Sequence, residues 1–123
     1  ALVVDDDALV RQYLCDVLLM GGWEVTEASD GVEAVSLSEG RHWGVVLLDM
    51  MMPRMGGEQT LRAIRAMDPD VGVVVVSGYA APGAVEAALA MGRCTFLAKP
   101  FRAGELLAAV TEVAGSSVTP AAG

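Results

Sequence analysis

Three aspartates, a serine and a lysine each stand where a short apolar run of this chain stops. Asp5 and Asp6 follow Ala1-Leu2-Val3-Val4, and Asp49 follows Val45-Val46-Leu47-Leu48. Ser77 follows Val73-Val74-Val75-Val76, and Lys99 follows Thr95-Phe96-Leu97-Ala98. Brought together, the carboxylates would repel one another unless a cation neutralised them. Mg2+ suits such a set: it takes hard oxygen ligands, keeps several waters and accepts one or two carboxylates beside a substrate phosphate. An ammonium and a hydroxyl opposite them would balance and orient a phosphoryl group. Phosphoryl transfer asks little of a protein beyond such positioning and charge compensation. The residue types therefore point to phosphorylation of a carboxylate.

For these residues to meet, the runs that carry them must be strands of one sheet. Continuous aliphatic runs bounded by Gly, Asp and Pro read as strands buried on both faces, and ligands of open parallel sheets lie outside the carboxyl ends of the strands. Between the runs the period changes to that of helices. Val10, Leu14, Val17 and Leu18 form one stripe, with Asp7 placed as N-cap and Gly21-Gly22 as the stop. Trp23 to Glu27 reads as a short edge strand, and Asp30-Gly31 opens a helix through Ser38 that Gly40 closes. Leu61 and Ile64, with Met67, face inward on a helix that ends near Asp68-Pro69, an Ala-rich helix runs from about Pro82 to Met91, and Leu106, Val110 and Val113 share a face of the last helix. Strict alternation implies parallel strands joined by right-handed crossovers. The fold class is thus α/β, a single doubly wound five-stranded parallel sheet with five helices; the alternation does not give the strand order.

At 123 residues the chain is long enough for one domain with a real core, and its 54% apolar content argues against disorder. Residues 1–114 read as the domain and 115–123 as a flexible tail of small and polar residues. No run approaches the roughly 18 apolar residues of a membrane span. The formal charge of −8 argues against direct nucleic-acid binding, which needs a basic face. Cys15 and Cys94 lack metal-type spacing and read as buried free thiols of a reducing, cytoplasmic setting.

With these residues in order, the sequence closely resembles the receiver domain of two-component response regulators over residues 1 to about 114. Val3-Val4-Asp5-Asp6 resembles that family's acidic pair, and Leu48-Asp49-Met50-Met51-Met52-Pro53-Arg54-Met55-Gly56-Gly57 its phosphoacceptor loop. Val76-Ser77-Gly78 and Leu97-Ala98-Lys99-Pro100-Phe101 resemble its hydroxyl and lysine motifs. The resemblance implies a flavodoxin-like topology. It also implies that Asp49 takes a phosphoryl group from the phosphohistidine of a histidine kinase or phosphotransfer domain. Asp6, Asp49 and the main-chain carbonyl of Met51 would bind Mg2+, with Asp5 acting largely through water. Ser77 and Lys99 would contact the phosphoryl oxygens, Ser77 and Phe96 would act as the switch, and Met51 and Tyr79 would tune the lifetime of the acyl phosphate. A downstream protein would read the face formed by the fourth helix, fifth strand and fifth helix, with no nucleic-acid or membrane contact by this domain.

Each residue also has a plainer reading. Asp5, Asp6 and Asp7 could form a solvated cap cluster, Asp49 a turn, Ser77 a loop cap and Lys99 a surface charge; Phe96 could serve strand packing as well, and His42 reads as a loop residue. Gly56 departs from the family's commoner Asp, Asn or Ser, and Met51 and Tyr79 stand where faster members often hold polar groups. Asp5-Asp6-Asp7 contains the Asp-x-Asp spacing of haloacid-dehalogenase-like phosphatases, a reading that leaves Asp49 without purpose. A pseudo-receiver that takes no phosphate is a further alternative, although none of the key residues is missing. Gly57-Glu58-Gln59-Thr60-Leu61-Arg62 and Ser77-Gly78-Tyr79-Ala80 look most like C-terminal receivers of hybrid sensor histidine kinases, possible membrane-bound parents. The start at Ala1, directly on a strand, reads as an excision from something longer. A stand-alone regulator is the alternative parentage.

Overall fold

The apolar runs form five parallel strands in a computed structural model that describes residues 1–50, 55–78, 86, 90 and 92–114. They are β1 (Leu2–Val4), β2 (Thr26–Ala28), β3 (Val45–Asp49), β4 (Gly72–Ser77) and β5 (Cys94–Ala98), in the order β2-β1-β3-β4-β5. The helices among the described residues are α1 (Ala8–Met20), α2 (Gly31–Ser38), α3 (Gly57–Met67) and α4 (Ala103–Ala114). The helix expected from about Pro82 to Met91 falls mostly outside the described residues; Glu86 and Ala90 there have helical backbone. The expected tail, 115–123, also lies outside them. This is the flavodoxin-like order that the resemblance implies.

Strand alternation divides the core into two apolar layers. Val3, Val45, Leu47, Val74 and Val76 face one side, where they meet Leu14, Val17 and Leu18 of α1 and Leu106, Val110 and Val113 of α4. Leu2, Val4, Val46, Leu48, Val73 and Val75 face the other, against Ala34 of α2 and Leu61 and Ile64 of α3. The inner strands β1, β3 and β4 are buried throughout, as expected of strands covered on both faces. The expectation fails for β5. As an edge strand it is only partly covered, and Phe96 is 37% exposed. The other edge, β2, is shorter and later than expected, because Trp23 leaves the sheet to pack in the first layer while Ala28 closes the ladder to β1.

Helix starts are fixed by side chains that accept otherwise unpaired N–H groups. Asp7 Oδ1 accepts from the amides of Leu9 and Val10 at 3.0 and 3.3 Å, which leaves Ala8 as the first helical residue. Asp30 accepts from Glu33 N at 2.8 Å, while Glu33 reaches back to Ser29 N at 2.6 Å. Glu105 accepts from Arg102 N at 2.9 Å before α4. The buried hydroxyl of Ser38 donates to Ala34 O and accepts from Trp43 Nε1, so its burial leaves no polar group unsatisfied.

The thiols of Cys15 and Cys94 are free, and burial pushes both up to about 11. His42 lies outside any helix or strand, its Nδ1 3.4 Å from Asp68. Among the described residues, no helix is long and apolar enough to cross a membrane.

The layered core predicts a sharp contrast between two leucines. Leu106 is fully buried beneath α4, whereas Leu9 is 79% exposed on α1. Leu106→Ala should cost about 2–5 kcal/mol of folding free energy and Leu9→Ala less than about 0.5 kcal/mol, as measured by urea denaturation. Similar losses would contradict the assignment of the core.

Candidate functional site

The sheet order sends the chain from β1 outward to β2 and then back across to β3. The crevice of an open parallel sheet opens at such a reversal, beyond the strands' carboxyl ends. Asp5 is the first residue after β1 and Asp49 the last of β3, and the pairing Val4↔Leu48 places them at the same level of the sheet. Alternation also puts both on the α1–α4 side, in phase with Val3 and Leu47. Lys99 follows β5 in phase with Leu97 of the same layer.

The result is a compact charged cluster. Asp5 is wholly buried and Asp49 is 5% exposed, whereas Asp6 points into solvent. Lys99 Nζ lies 3.1 Å from Asp5 Oδ2 and 3.8 Å from Asp49 Oδ2. Asp5 Oδ1 accepts from Asp7 N at 2.9 Å. One carboxylate oxygen each from Asp5, Asp6 and Asp49 lie within 4.8 Å of one another. All are hard oxygens, two of them fixed and one open to water, which fits the donor set of a small divalent cation.

Ser77 ends β4, buried to 1% exposure, and its carbonyl accepts from Lys99 N at 3.0 Å. That bond extends the β4–β5 pairing past Ser77↔Ala98 and sets the lysine at the rim of the crevice. Gly78 lies against the Lys99 stem, 3.6 Å from a Cβ placed on the glycine to Lys99 Cβ. Beneath Asp49, Gly57 N donates to Met50 O at 3.3 Å, and a Cβ on Gly57 would meet Met50 Cα at 2.5 Å and Asp49 O at 2.9 Å. Only glycine lets α3 start this close to the acceptor loop.

The structure therefore brings Asp5, Asp6, Asp49 and Lys99 together, with Ser77 on the neighbouring strand end. Phe96 sits apart on β5, its backbone paired with Val75. Met51 and Tyr79 lie outside the described residues. Asp7, the second aspartate of the Asp-x-Asp spacing, is committed to capping α1, while Asp49 occupies the cluster; both placements run against the phosphatase alternative.

Two contributors were not singled out from the sequence. Arg11 NH1 donates to Asp5 O at 2.7 Å while its Nε meets Glu27 Oε1 at 3.1 Å. Buried Thr60 donates to Gly56 O at 2.9 Å and steadies the end of the acceptor loop. A cation four residues after the Asp-capped helix start was a usable signal for the first; an isolated threonine on a helix offered none for the second.

Comparison with known proteins agrees with this geometry. Residues 1–111 match the model of the response regulator receiver domain family. The chain is 39% identical over 107 residues to the response regulator MprA of a Mycobacterium species (strain KMS), covering 87% of this chain but 46% of that protein. It is 33% identical to the chemotaxis protein CheY of Thermotoga maritima, covering 91% of this chain and 94% of that one. Among solved structures, the receiver domain of the sensor histidine kinase PA1611 of Pseudomonas aeruginosa, which has a magnesium ion in its active site cleft, superimposes with a TM-score of 0.83. It is 30% identical, with 94% of this chain and 96% of that one covered.

The ion pairs predict the cost of removing the lysine. Breaking a buried pair costs about 3–5 kcal/mol because the remaining charge is uncompensated. With the Lys99 side chain 23% exposed, solvent screens part of that, and Lys99→Ala should destabilise the domain in EDTA by about 2 kcal/mol. Adding Asp5→Asn should recover more than half of the loss. A loss below about 0.5 kcal/mol in urea denaturation would show that Lys99 does not support Asp5.

Proposed function

Because this chain belongs to the response regulator receiver domain family, whose members act in two-component signalling, we propose that it takes a phosphoryl group from a phosphohistidine onto Asp49. The observation that carries this reading is the convergence of three carboxylates and Lys99 at the carboxyl ends of β1, β3 and β5. An Asp49 oxygen attacks phosphorus in line, the O–P bond forms, and the P–N bond breaks with its electron pair left on the imidazole. In support, Asp49 ends β3, and Lys99 Nζ lies 3.8 Å from its Oδ2.

In the acyl phosphate, Asp49 no longer offers Lys99 a free carboxylate of the same geometry, and the ammonium can turn to the phosphoryl oxygens while keeping Asp5 as its second partner. Ser77, on the next strand, supplies a hydroxyl to the same group, and its displacement together with Phe96 would carry the change to the β5 edge. That is a local charge event biasing a two-state surface. Asp6 and Asp49 would hold Mg2+ with the main-chain carbonyl of Met51, Asp5 acting through water. Bound there, Mg2+ would neutralise charge developing on the phosphoryl group. The magnesium-bearing cleft of the PA1611 receiver domain supports that assignment.

The downstream partner would bind the face that the family resemblance assigns to the expected fourth helix (about Pro82 to Met91, mostly outside the described residues), β5 and α4, in a cytoplasmic setting. For the parent protein, the Gly57–Arg62 and Ser77–Ala80 sequences favour a hybrid sensor histidine kinase, and the likeness to the PA1611 receiver is in keeping with it. The likeness to MprA and CheY favours a regulator instead. The reading frame upstream of Ala1 decides between them.

Incubated with Mg2+ and acetyl phosphate, the protein should gain one acid-labile phosphoryl group by intact-mass analysis, and Asp49→Asn should gain none. Equal labelling of the two would remove Asp49 as acceptor; no labelling of either would favour a pseudo-receiver.

A second outcome concerns lifetime. Hydrolysis needs a water held in line with phosphorus, and neither a methionine nor a bulky tyrosine is suited to orient one. Met51→Asn with Tyr79→Glu should speed decay of the phosphorylated protein roughly tenfold per restored contact. Decay no faster than that of the unsubstituted protein would assign the lifetime to other residues.

A further inference from the structure

Asp6 differs from the other members of the cluster in having nothing to aim it. Asp5 and Asp49 are buried and ion-paired with Lys99, whereas the Asp6 carboxylate is exposed and has no hydrogen-bond or ion-pair partner among the described residues. Its direction is therefore set by the backbone that carries it. β1 has ended at Val4, so the ladder no longer constrains this segment beyond one bond, Asp5 N to Ala28 O at 3.2 Å.

The next peptide is planar, so whatever fixes Asp5 O also fixes Asp6 N and the Asp6 Cα from which the side chain leaves. That atom is held by Arg11, whose NH1 donates to it at 2.7 Å. A charged donor at this distance, on a side chain only 18% exposed, is stronger than a neutral surface hydrogen bond. Arg11 is itself oriented by Glu27, which ends 3.1 Å from Nε and lies on the edge strand β2. The Arg11–Glu27 pair alone contributes little, since Glu27 is exposed. Its use is to select the rotamer that reaches Asp5 O.

We infer that Arg11 is a positioning residue for the cation site: it fixes the Asp5–Asp6 peptide so that the Asp6 carboxylate is presented beside Asp5 and Asp49. The inference rests on the reading of Asp6 as a Mg2+ ligand. Groups that orient metal ligands from outside typically change affinity by about 10–100-fold when removed.

The test is Mg2+ binding by the full chain, measured by titration calorimetry alongside circular dichroism and the initial rate of phosphorylation by acetyl phosphate. Arg11→Ala should bind Mg2+ about tenfold more weakly with its helical spectrum unchanged. Its half-saturating Mg2+ for phosphorylation should rise by the same factor, while the rate at saturating Mg2+ stays within about twofold. Arg11→Lys, which keeps a charged donor for Asp5 O, should restore most of the affinity, a rescue that a general packing role would not give. If Arg11→Ala does not fold, Arg11→Gln is judged by the same affinity criterion. A folded Arg11→Ala or Arg11→Gln that binds Mg2+ as tightly as the unsubstituted protein overturns the inference and leaves the cation site standing. An unsubstituted protein that takes no Mg2+ overturns the cation site itself.

Discussion

Two carboxylates lie almost without solvent at adjacent strand ends, and one ammonium group holds both. That arrangement constrains the rest of the molecule. A buried carboxylate is tolerated only when its charge is compensated and its oxygens are hydrogen-bonded. Asp5 meets the requirement through Lys99 and Asp7 N; Asp49 meets it in part through the same lysine at the longer distance of 3.8 Å. Lys99 thus lies between two anions, with a third at the rim. Three carboxylates this close together suit a small divalent cation, which would lower their mutual repulsion.

The sheet supplies the geometry that makes sharing possible. Parallel pairing of β1 with β3 puts Asp5 and Asp49 at one level, and strand alternation puts them on one side. Lys99 has to reach across from β5, with β4 between, and its long stem runs past Gly78, where no side chain obstructs it. A one-residue slip of β3 against its layer would turn Asp49 to the opposite face and leave Asp5 with the lysine alone. The two apolar layers therefore do more than stabilise the sheet. By fixing Val45 and Leu47 on one side and Val46 and Leu48 on the other, they fix which way Asp49 points.

Most of this was legible in the sequence because the signals were redundant. Asp7 and Asp30 were recognisable as caps, Leu61, Ile64, Leu106, Val110 and Val113 as inward faces, and the strand-end polar residues as a set, since period, capping and punctuation agreed at each point. Where a single signal stood alone, the reading slipped. Trp23 and Val25 resembled a strand by composition, yet Trp23 packs beneath Gly44, whose added Cβ would meet its ring at 2.7 Å, and β2 begins only at Thr26. Thr95-Phe96-Leu97-Ala98 was as apolar as the inner strands, but apolarity does not report strand order, and β5 proved to be an edge. Arg11 was passed over because its partners are a backbone carbonyl and a residue on another element. Sequence periodicity cannot show either.

The edges are where the remaining freedom of the molecule lies. β1, β3 and β4 are buried on both faces and locked by interdigitated side chains, so a sub-ångström change at their ends cannot be absorbed by the strands themselves. It must pass to the edge strands. On one side that edge is β2, connected to the cluster through Glu27, Arg11 and the Asp5 carbonyl. On the other it is β5, connected through the Ser77 carbonyl, the Lys99 amide and the same lysine's ammonium, with half-exposed Phe96 three residues upstream. Both routes start at Asp5, one from its main chain and one from its side chain. A perturbation of charge at Asp49 is felt by Lys99, 3.8 Å away, whose amide also bonds the Ser77 carbonyl at the β4–β5 pairing. Reaching β2 requires moving Asp5, whose carbonyl accepts from Arg11 and whose amide donates to Ala28 O.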